Sequence, residues 1–299
     1  MFFTIPRSQK GTADMAHPTP NWFKRKLFPK GVAWRLALLS DIHGNLEAAN
    51  AVGEDIGSQG KINEIGCLGD TAGYGPNPVE TLELVRKNCD WCIRGNHDAA
   101  VLQQPESWTD HALKALNWTV LRIYKHPNHE ERANVAAFLK ELPGFRKDGD
   151  IVYVHGSPRD VLNEYVYPGH AAHSDLMNDM FRRIPWVSFQ GHTHIPGVFR
   201  AIPERSWDYE FVQGRPLASR YGKKFLIERG TKAMVNVGSV GQPRDEIPLA
   251  CYLIVEFLNN GNLQLEWRSV RYNYEHTIEK LCSHPELADT HPERLRLGR

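Results

Sequence analysis

Apolar and polar positions alternate along this chain with two different periods. Arg35-Leu-Ala-Leu-Leu-Ser40 is a short apolar run closed by polar residues, which predicts a buried strand. From Asn45 to Gly57, Leu46, Ala49, Val52 and Ile56 recur three or four apart and Gly57 supplies a stop, so a helix is predicted. Further strand-like runs cover Glu64–Leu68, Asp90–Arg94, Ile151–His155, Trp186–Gln190, Tyr209–Gln213, Lys224–Glu228, Ala233–Val237, Leu249–Leu258 and Asn262–Val270. Helical spacing returns at Pro78–Lys87, Thr109–Tyr124 and Asn128–Leu142, the last stopped by Pro143-Gly144. Strands alternate with helices early and crowd together late. That order predicts an α/β domain with a mixed sheet system and a helical insertion at about 101–148.

The two ends read differently. Residues 1–34 carry Arg7, Lys10, Lys24, Arg25, Lys26 and Lys30 against Asp14 alone, with Pro6, Pro18, Pro20 and Pro29 and no apolar period. The expectation is a loosely ordered basic arm, without the continuous apolar core and cleavage site of a secretory signal. The domain itself is expected over 35–275, and residues 276–299 as a polar C-terminal tail that frays. Over all 299 residues, 41% are hydrophobic and 24% charged, which excludes a disordered, collagen-like or coiled-coil chain. A net charge of +1 gives no global pull toward nucleic acid, and no 18-residue apolar run is long enough to cross a membrane. Five cysteines imply no disulfide framework and point to a reducing, cytoplasmic setting. Cys89-x-x-Cys92 has no second pair and runs as a strand toward Gly95, so it reads as core.

Five short clusters remain: Asp41-Ile-His43, Gly69-Asp70, Gly95-Asn-His-Asp98, His155-Gly156 and Gly191-His-Thr-His194. Most follow a predicted strand, and in open α/β sheets ligands lie beyond the carboxyl ends of strands. Carboxylate, imidazole and amide without thiol suit Mn, Fe or Zn, or a hard cation such as Mg. Asp41, His43, Asp70, Asn96, His155, His192 and His194 are too many ligands for one ion and enough for two if a carboxylate bridges. Two ions about 3.5–4 Å apart form a clamp for in-line displacement at phosphorus.

In this order the clusters resemble those of the calcineurin-like metallophosphoesterases. Gly73-Tyr-Gly-Pro76, His155-Gly-Ser-Pro-Arg-Asp160 and Gly238-Ser-Val-Gly-Gln-Pro-Arg-Asp245 look like a bacterial branch of that superfamily. The resemblance implies a four-layer αββα sandwich, two mixed β-sheets face to face with helices outside. It also implies roles. Asp41, His43 and His194 would hold a first divalent ion, Asn96, His155 and His192 a second, and Asp70 would bridge. Mn, Fe or Zn come first as candidates, Mg, Ni or Co after them. His97 would stand beside the substrate as proton donor.

The chain departs from the Ser/Thr phosphatases of the superfamily, which carry Gly-Asp-x-x-Asp-Arg-Gly. Gly73 stands where their second Asp orients the catalytic His, and Tyr74 where their phosphate-binding Arg stands. Arg94 matches their other phosphate arginine, and Asp98 is left to orient His97. Arg159 and Arg244 could supply replacement charge if their loops reach the site. The reading is therefore a dinuclear phosphoesterase in which water or hydroxide held by both ions attacks phosphorus. Its catalytic residues are His97 and Asp98, and Arg94, Asn96 and Tyr74 bind substrate. The substrate is a small phosphate ester, with a slight lean to phosphodiesters or nucleotides. A phosphoprotein phosphatase is the first alternative and an inactive scaffold the second.

Overall fold

The computed structural model describes residues 31–105, 108–202, 205–215, 224–288 and 292–299. The basic arm up to residue 30 lies outside the described residues. In chain order the elements are β1 (Val32–Leu39), α1 (Leu46–Ser58), β2 (Glu64–Cys67), α2 (Pro78–Asn88), β3 (Trp91–Cys92) and α3 (Asn96–Leu102). Then come α4 (Asp110–Tyr124), α5 (His129–Glu141), β4 (Phe145–Asp148), β5 (Ile151–Val154), α6 (Ser174–Arg183) and β6 (Val187–Gln190). The rest are β7 (Gly197–Ile202), β8 (Arg205–Gln213), β9 (Phe225–Ile227), β10 (Ala233–Asn236), β11 (Ala250–Leu258), β12 (Leu263–Val270), α7 (Tyr274–Cys282), α8 (Pro285–Ala288) and α9 (Arg294–Leu297).

Two mixed six-stranded sheets result, ordered β3-β2-β1-β11-β12-β9 and β4-β5-β6-β10-β7-β8. Strand β1 shows why its run is continuously apolar. Leu36 and Leu38 point into the core shared with Val187, Phe189, Val235 and Leu253 of both sheets. Ala37 and Leu39 face the other way, onto Val52 and Ile56 of α1 and Leu82 and Val85 of α2. A strand covered on both faces has no polar side to show. Met177, Met180 and Phe181 of α6 cover the outer face of the second sheet through Phe199 and Met234. The architecture is thus the sandwich of two mixed sheets with helices outside that the sequence implied.

The positions of parallel strands decide where chemistry can converge. β1, β2 and β3 run parallel in one sheet, and β5, β6 and β10 in the other. The loops leaving β1, β2, β3, β5 and β6 carry Asp41, Asp70, Asn96, His155 and His192 in turn. The α1 helix opens at Asn45, whose side chain accepts from Ala48 N–H at 3.1 Å.

Several elements lie beyond the sequence reading. β4 and β7 are strands, and α6 was not foreseen. The C-terminal stretch does not fray where it is described. Leu281, Leu287 and Leu295 are buried with Ala115, Trp118 and Ile278, so α7, α8 and α9 fasten the chain end onto α4. The domain boundary set at 276 falls inside α7. Trp118 is 6% exposed and belongs to that cluster. Cys92 is buried, Cys89 partly so, and both are free thiols. Among the described residues no helix is long and apolar enough to cross a membrane.

Candidate metal centre

The loops after β1 and β2 run side by side, Asp41 N–H donating to Gly69 O at 3.0 Å and His43 N–H to Asp70 O at 2.9 Å. Gly241 N–H donates to Asp41 O at 2.9 Å, so the 238–242 loop packs behind them. Asp41, His43, Asp70, His192 and His194 all have positive φ, between 48° and 65°. Such backbone is uncommon for side chains other than Gly, with Asp and His among the residues that tolerate it best. Holding five ligand-type residues there costs of order 1 kcal/mol or more each, which the surrounding contacts must offset. Gly95 permits a close approach, because any Cβ there would collide with the Asp70 side chain and amide.

All seven predicted ligand residues come together. His194 Nε2 lies 3.1 Å from Asp41 Oδ1 and 3.2 Å from His43 Nε2. His155 Nε2 lies 3.0 Å from Asn96 Oδ1, 3.1 Å from His192 Nδ1 and 3.3 Å from Asp70 Oδ2. His43 Nε2 is 3.7 Å from that same Asp70 oxygen, so Oδ2 faces both groups. The other oxygen, Oδ1, accepts from His97 N–H at 2.8 Å.

The far nitrogens of three rings are already committed to main-chain carbonyls. His155 Nδ1 donates to Leu68 O at 2.8 Å, His192 Nε2 to Asn163 O at 3.0 Å and His194 Nδ1 to Gln242 O at 2.5 Å. Each ring in its neutral form then turns a lone pair inward. His155 Nε2, His192 Nδ1, Asn96 Oδ1 and Asp70 Oδ2 would face one another as acceptors with no hydrogen between them. Asp41 Oδ1, buried, has no hydrogen-bond partner at all. Acceptors converging on acceptors in a buried site fit a cation, and carbonyl-oriented imidazoles are the usual support of metal ligands.

The titration of these groups among themselves agrees. Burial alone would lower His155, but the Asp70 and Asp41 carboxylates outweigh it and push the ring up to about 10. A proton thus takes the cation's place. Burial, with charged His155 beside it, brings His192 down to about 3. Burial would raise Asp70, yet His155 holds it well below the carboxylate range.

Three rings wall the mouth. His97 is buried, its centroid 4.5 Å from Tyr74, 4.5 Å from Trp108 and 4.8 Å from His43. One His97 nitrogen comes within 4.8 Å of ligand atoms on His43 and Asp70. Burial and the Arg244 cation hold it down to about 4, against the pull of Asp70. Trp108 belongs to the helical insertion, so the insertion reaches the site at this residue.

Asp98 does not orient His97. Its Oδ1 accepts from Thr71 and Ala72 N–H at 3.1 and 3.2 Å, its Oδ2 from Gly95 N–H at 3.1 Å, and His97 Nδ1 has no partner. The carboxylate ties the Asp70 loop to the Asn96 loop instead. Arg94 donates to Lys140 O at 3.0 Å, at the end of α5, while lining a cavity with Asn96. Of the two loop arginines, Arg159 is paired with Glu164 at 3.2 Å and Asp179 at 3.5 Å. Arg244 does reach the site. Its N–H donates to His194 O at 3.3 Å, its guanidinium to Gln242 Oε1 at 2.8 Å, and its charge acts on His97, His194, Tyr74 and Tyr165. Sequence reasoning missed the three carbonyls that orient the rings, since every residue carries a main-chain carbonyl whatever its side chain. It also missed Tyr165, stacked on His192 at 3.7 Å.

Comparison with known proteins meets this geometry from outside. The family model described as calcineurin-like phosphoesterase matches residues 35–231. An uncharacterised protein of Methanocaldococcus jannaschii is 33% identical over 268 residues, covering 88% of this chain and 98% of that one. A metallophosphoesterase from Sphaerobacter thermophilus, known from its crystal structure, is 29% identical, with TM-score 0.70 over 89% of this chain and 99% of its own. A hypothetical protein from Pyrococcus horikoshii shares the fold at 18% identity and TM-score 0.63, over 89% and 99%. The clusters, the sandwich and the matched span lead to one conclusion: this chain belongs to the calcineurin-like phosphoesterase family.

Proposed function

We propose that the protein hydrolyses phosphate esters at a centre for two divalent ions, with phosphodiesters or nucleotides as the favoured class. The observation that carries this is the pair of acceptor groups meeting at Asp70 Oδ2. On one side stand His43, Asp41 and His194, on the other His155, His192 and Asn96. When bound, the ions supply Lewis-acid stabilisation of phosphoryl oxygens and a frame for in-line displacement.

The chain's own residues do the remainder. Arg244 offers a fixed positive charge beside His194 for a non-bridging oxygen. Arg94 and Asn96 share the wall of the adjoining cavity and meet the ester from the opposite side. Tyr74, against His97 and His43, closes the mouth and keeps water from the reacting centre. His97, whose Nδ1 has no partner among the described residues, stands beside the centre as donor to the leaving oxygen. Gly73 and Tyr74 weigh against the phosphoprotein phosphatase reading, because an orienting acid and an arginine are both absent there.

The test is metal analysis of the purified protein with a panel of bis-aryl, mono-aryl and nucleoside phosphates. About two ions per chain and turnover of at least one class support the reading. A protein that binds no divalent ion at micromolar concentration and turns over no ester refutes it.

A further inference from the structure

We propose that Tyr165 and Tyr167 form a stacking platform for the base of a nucleotide ester whose phosphate is held at the metal centre. This deepens the phosphate-ester reading and rests on it. The segment Tyr165-Val166-Tyr167 turns its middle residue inward. Val166 is buried with Met177 and Met180, while the flanking tyrosines are 37% and 44% exposed. Their ring planes lie 4° apart with centroids 5.4 Å apart. Tyr165 in turn lies over His192 at 3.7 Å and 24°. A row of stacked rings therefore starts at a ligand residue and ends at half-exposed Tyr167, which His170 meets edge-on at 5.7 Å.

The row is held in place before anything binds. Ser157 Oγ accepts from the N–H of Arg159 and of Asp160, at 3.0 and 3.1 Å. Asp160 Oδ1 accepts from Leu162 and Asn163 N–H, both at 3.0 Å. The Asn163 carbonyl is the one that orients His192, and His170 N–H closes on Tyr167 O at 2.9 Å. A platform fixed in this way loses little freedom when a ring stacks on it. Tyrosine faces in water next to a phosphate site suit a flat heterocycle, since every base offers a π-face whatever its identity. Arg244, whose N–H donates to His194 O at 3.3 Å, brings a cation to the same centre for the ester's phosphate. An ester of an aliphatic alcohol would gain nothing from these rings.

A rival seat exists. A cavity of about 370 Å³ is walled by Arg94, Leu102, Trp108 and Leu162 beside Asn96. Calorimetric titration of the Mn-loaded protein with AMP and with ribose 5-phosphate, which lacks the base, measures what the base contributes, and variants separate the two seats. Stacking is worth a factor of about 5 to 150 in affinity, so AMP should bind tighter by that ratio. Tyr167→Ala, which touches no ligand residue, and Tyr165→Ala should bring the ratio within about threefold of unity, and Tyr167→Trp should keep it. Equal binding of both probes by the unaltered protein overturns the platform. So does a ratio that survives both alanine variants, or one lost only in Trp108→Ala. If neither probe binds and no aryl phosphate is turned over, the phosphoesterase reading itself fails. If aryl phosphate is hydrolysed while AMP and ribose 5-phosphate bind alike, only the platform fails.

Discussion

Adding one methyl group at Gly73 tests whether the position of His97 matters to the chemistry. Gly73 has φ +95°, a backbone that costs an alanine about 1–3 kcal/mol. Its new Cβ would overlap His97 Nδ1 and stand 3.0 Å from Cγ and 3.2 Å from Cβ of that ring. Carbon atoms rest at about 3.5–4.0 Å, so the imidazole must retreat by roughly 0.5–1 Å. It has no free side to retreat to, with Tyr74, Trp108 and His43 all within 5 Å of its centroid. Overpacking of that kind adds about 1–3 kcal/mol. Gly73→Ala should therefore lower stability by about 2–6 kcal/mol, read from the urea midpoint at constant slope. A displacement near 1 Å is worth roughly 10² in turnover of a nucleoside ester. His97→Asn should cost about 10²–10⁴ with such a poor leaving group, and much less with a nitrophenyl ester. Since both changes act through one ring, Gly73→Ala on the His97→Asn background should add little further rate loss. A stability change under about 0.5 kcal/mol, or rate losses that multiply in the double variant, would refute the reasoning.

Three further outcomes follow from the site. Asp70→Asn removes the oxygen that faces both groups and should reduce both ions and nearly abolish turnover, whereas His194→Ala should weaken chiefly one ion and recover partly at high metal concentration. Metal analysis on the two variants decides, and equal loss of both ions in each would contradict the bridge. Asp98→Ala leaves three buried N–H groups without an acceptor and should destabilise by about 3 kcal/mol or more, with Asp98→Asn costing less, as read by denaturant unfolding. Divalent ions must displace the proton that the metal-free site keeps on His155 up to a pKa of about 10. Affinity should therefore rise about tenfold per pH unit through neutrality, with about one proton released per chain, and calorimetry in buffers of different ionisation heat would detect it.

The two-sheet architecture was legible where strands are apolar on both faces. β1, β10 and β11 read as unbroken runs because helices cover one side and the opposite sheet the other. β4 was missed because Phe145, Lys147 and Asp148 are exposed at a sheet edge, so no core imprints a pattern on it. α6 was missed because Met177, Met180 and Phe181 form only a narrow stripe among charged residues. α8 and α9 were hidden by brevity, since the burial of each rests on a single leucine, Leu287 and Leu295. The seven ligand residues were legible because metal binding restricts side-chain type and because they follow strand ends. Which arginine turns inward was not, since Arg159 and Arg244 sit in similar loops and only the carboxylates of Glu164 and Asp179 divert the first. Asp98 was given the wrong target for the same reason: a carboxylate's neighbour in sequence says nothing about which backbone amides lie above it.

The ligand residues hang from different sheets. Asp41, His43, Asp70 and Asn96 belong to one, His155, His192 and His194 to the other. Ions seated among them would act as a clasp across the seam of the sandwich, fastening at one edge what packed side chains and a few polar links, such as Arg146 with Glu64, fasten elsewhere. Supply of metal in the cell would then set the lifetime of the molecule as well as its rate. A chain made during metal starvation would carry two carboxylates and four imidazoles facing one another across an unfastened seam, on backbone already held in a costly conformation. That edge is where it would gape first and where proteases would find it, so scarcity would thin out idle copies of the protein before any dedicated signal did.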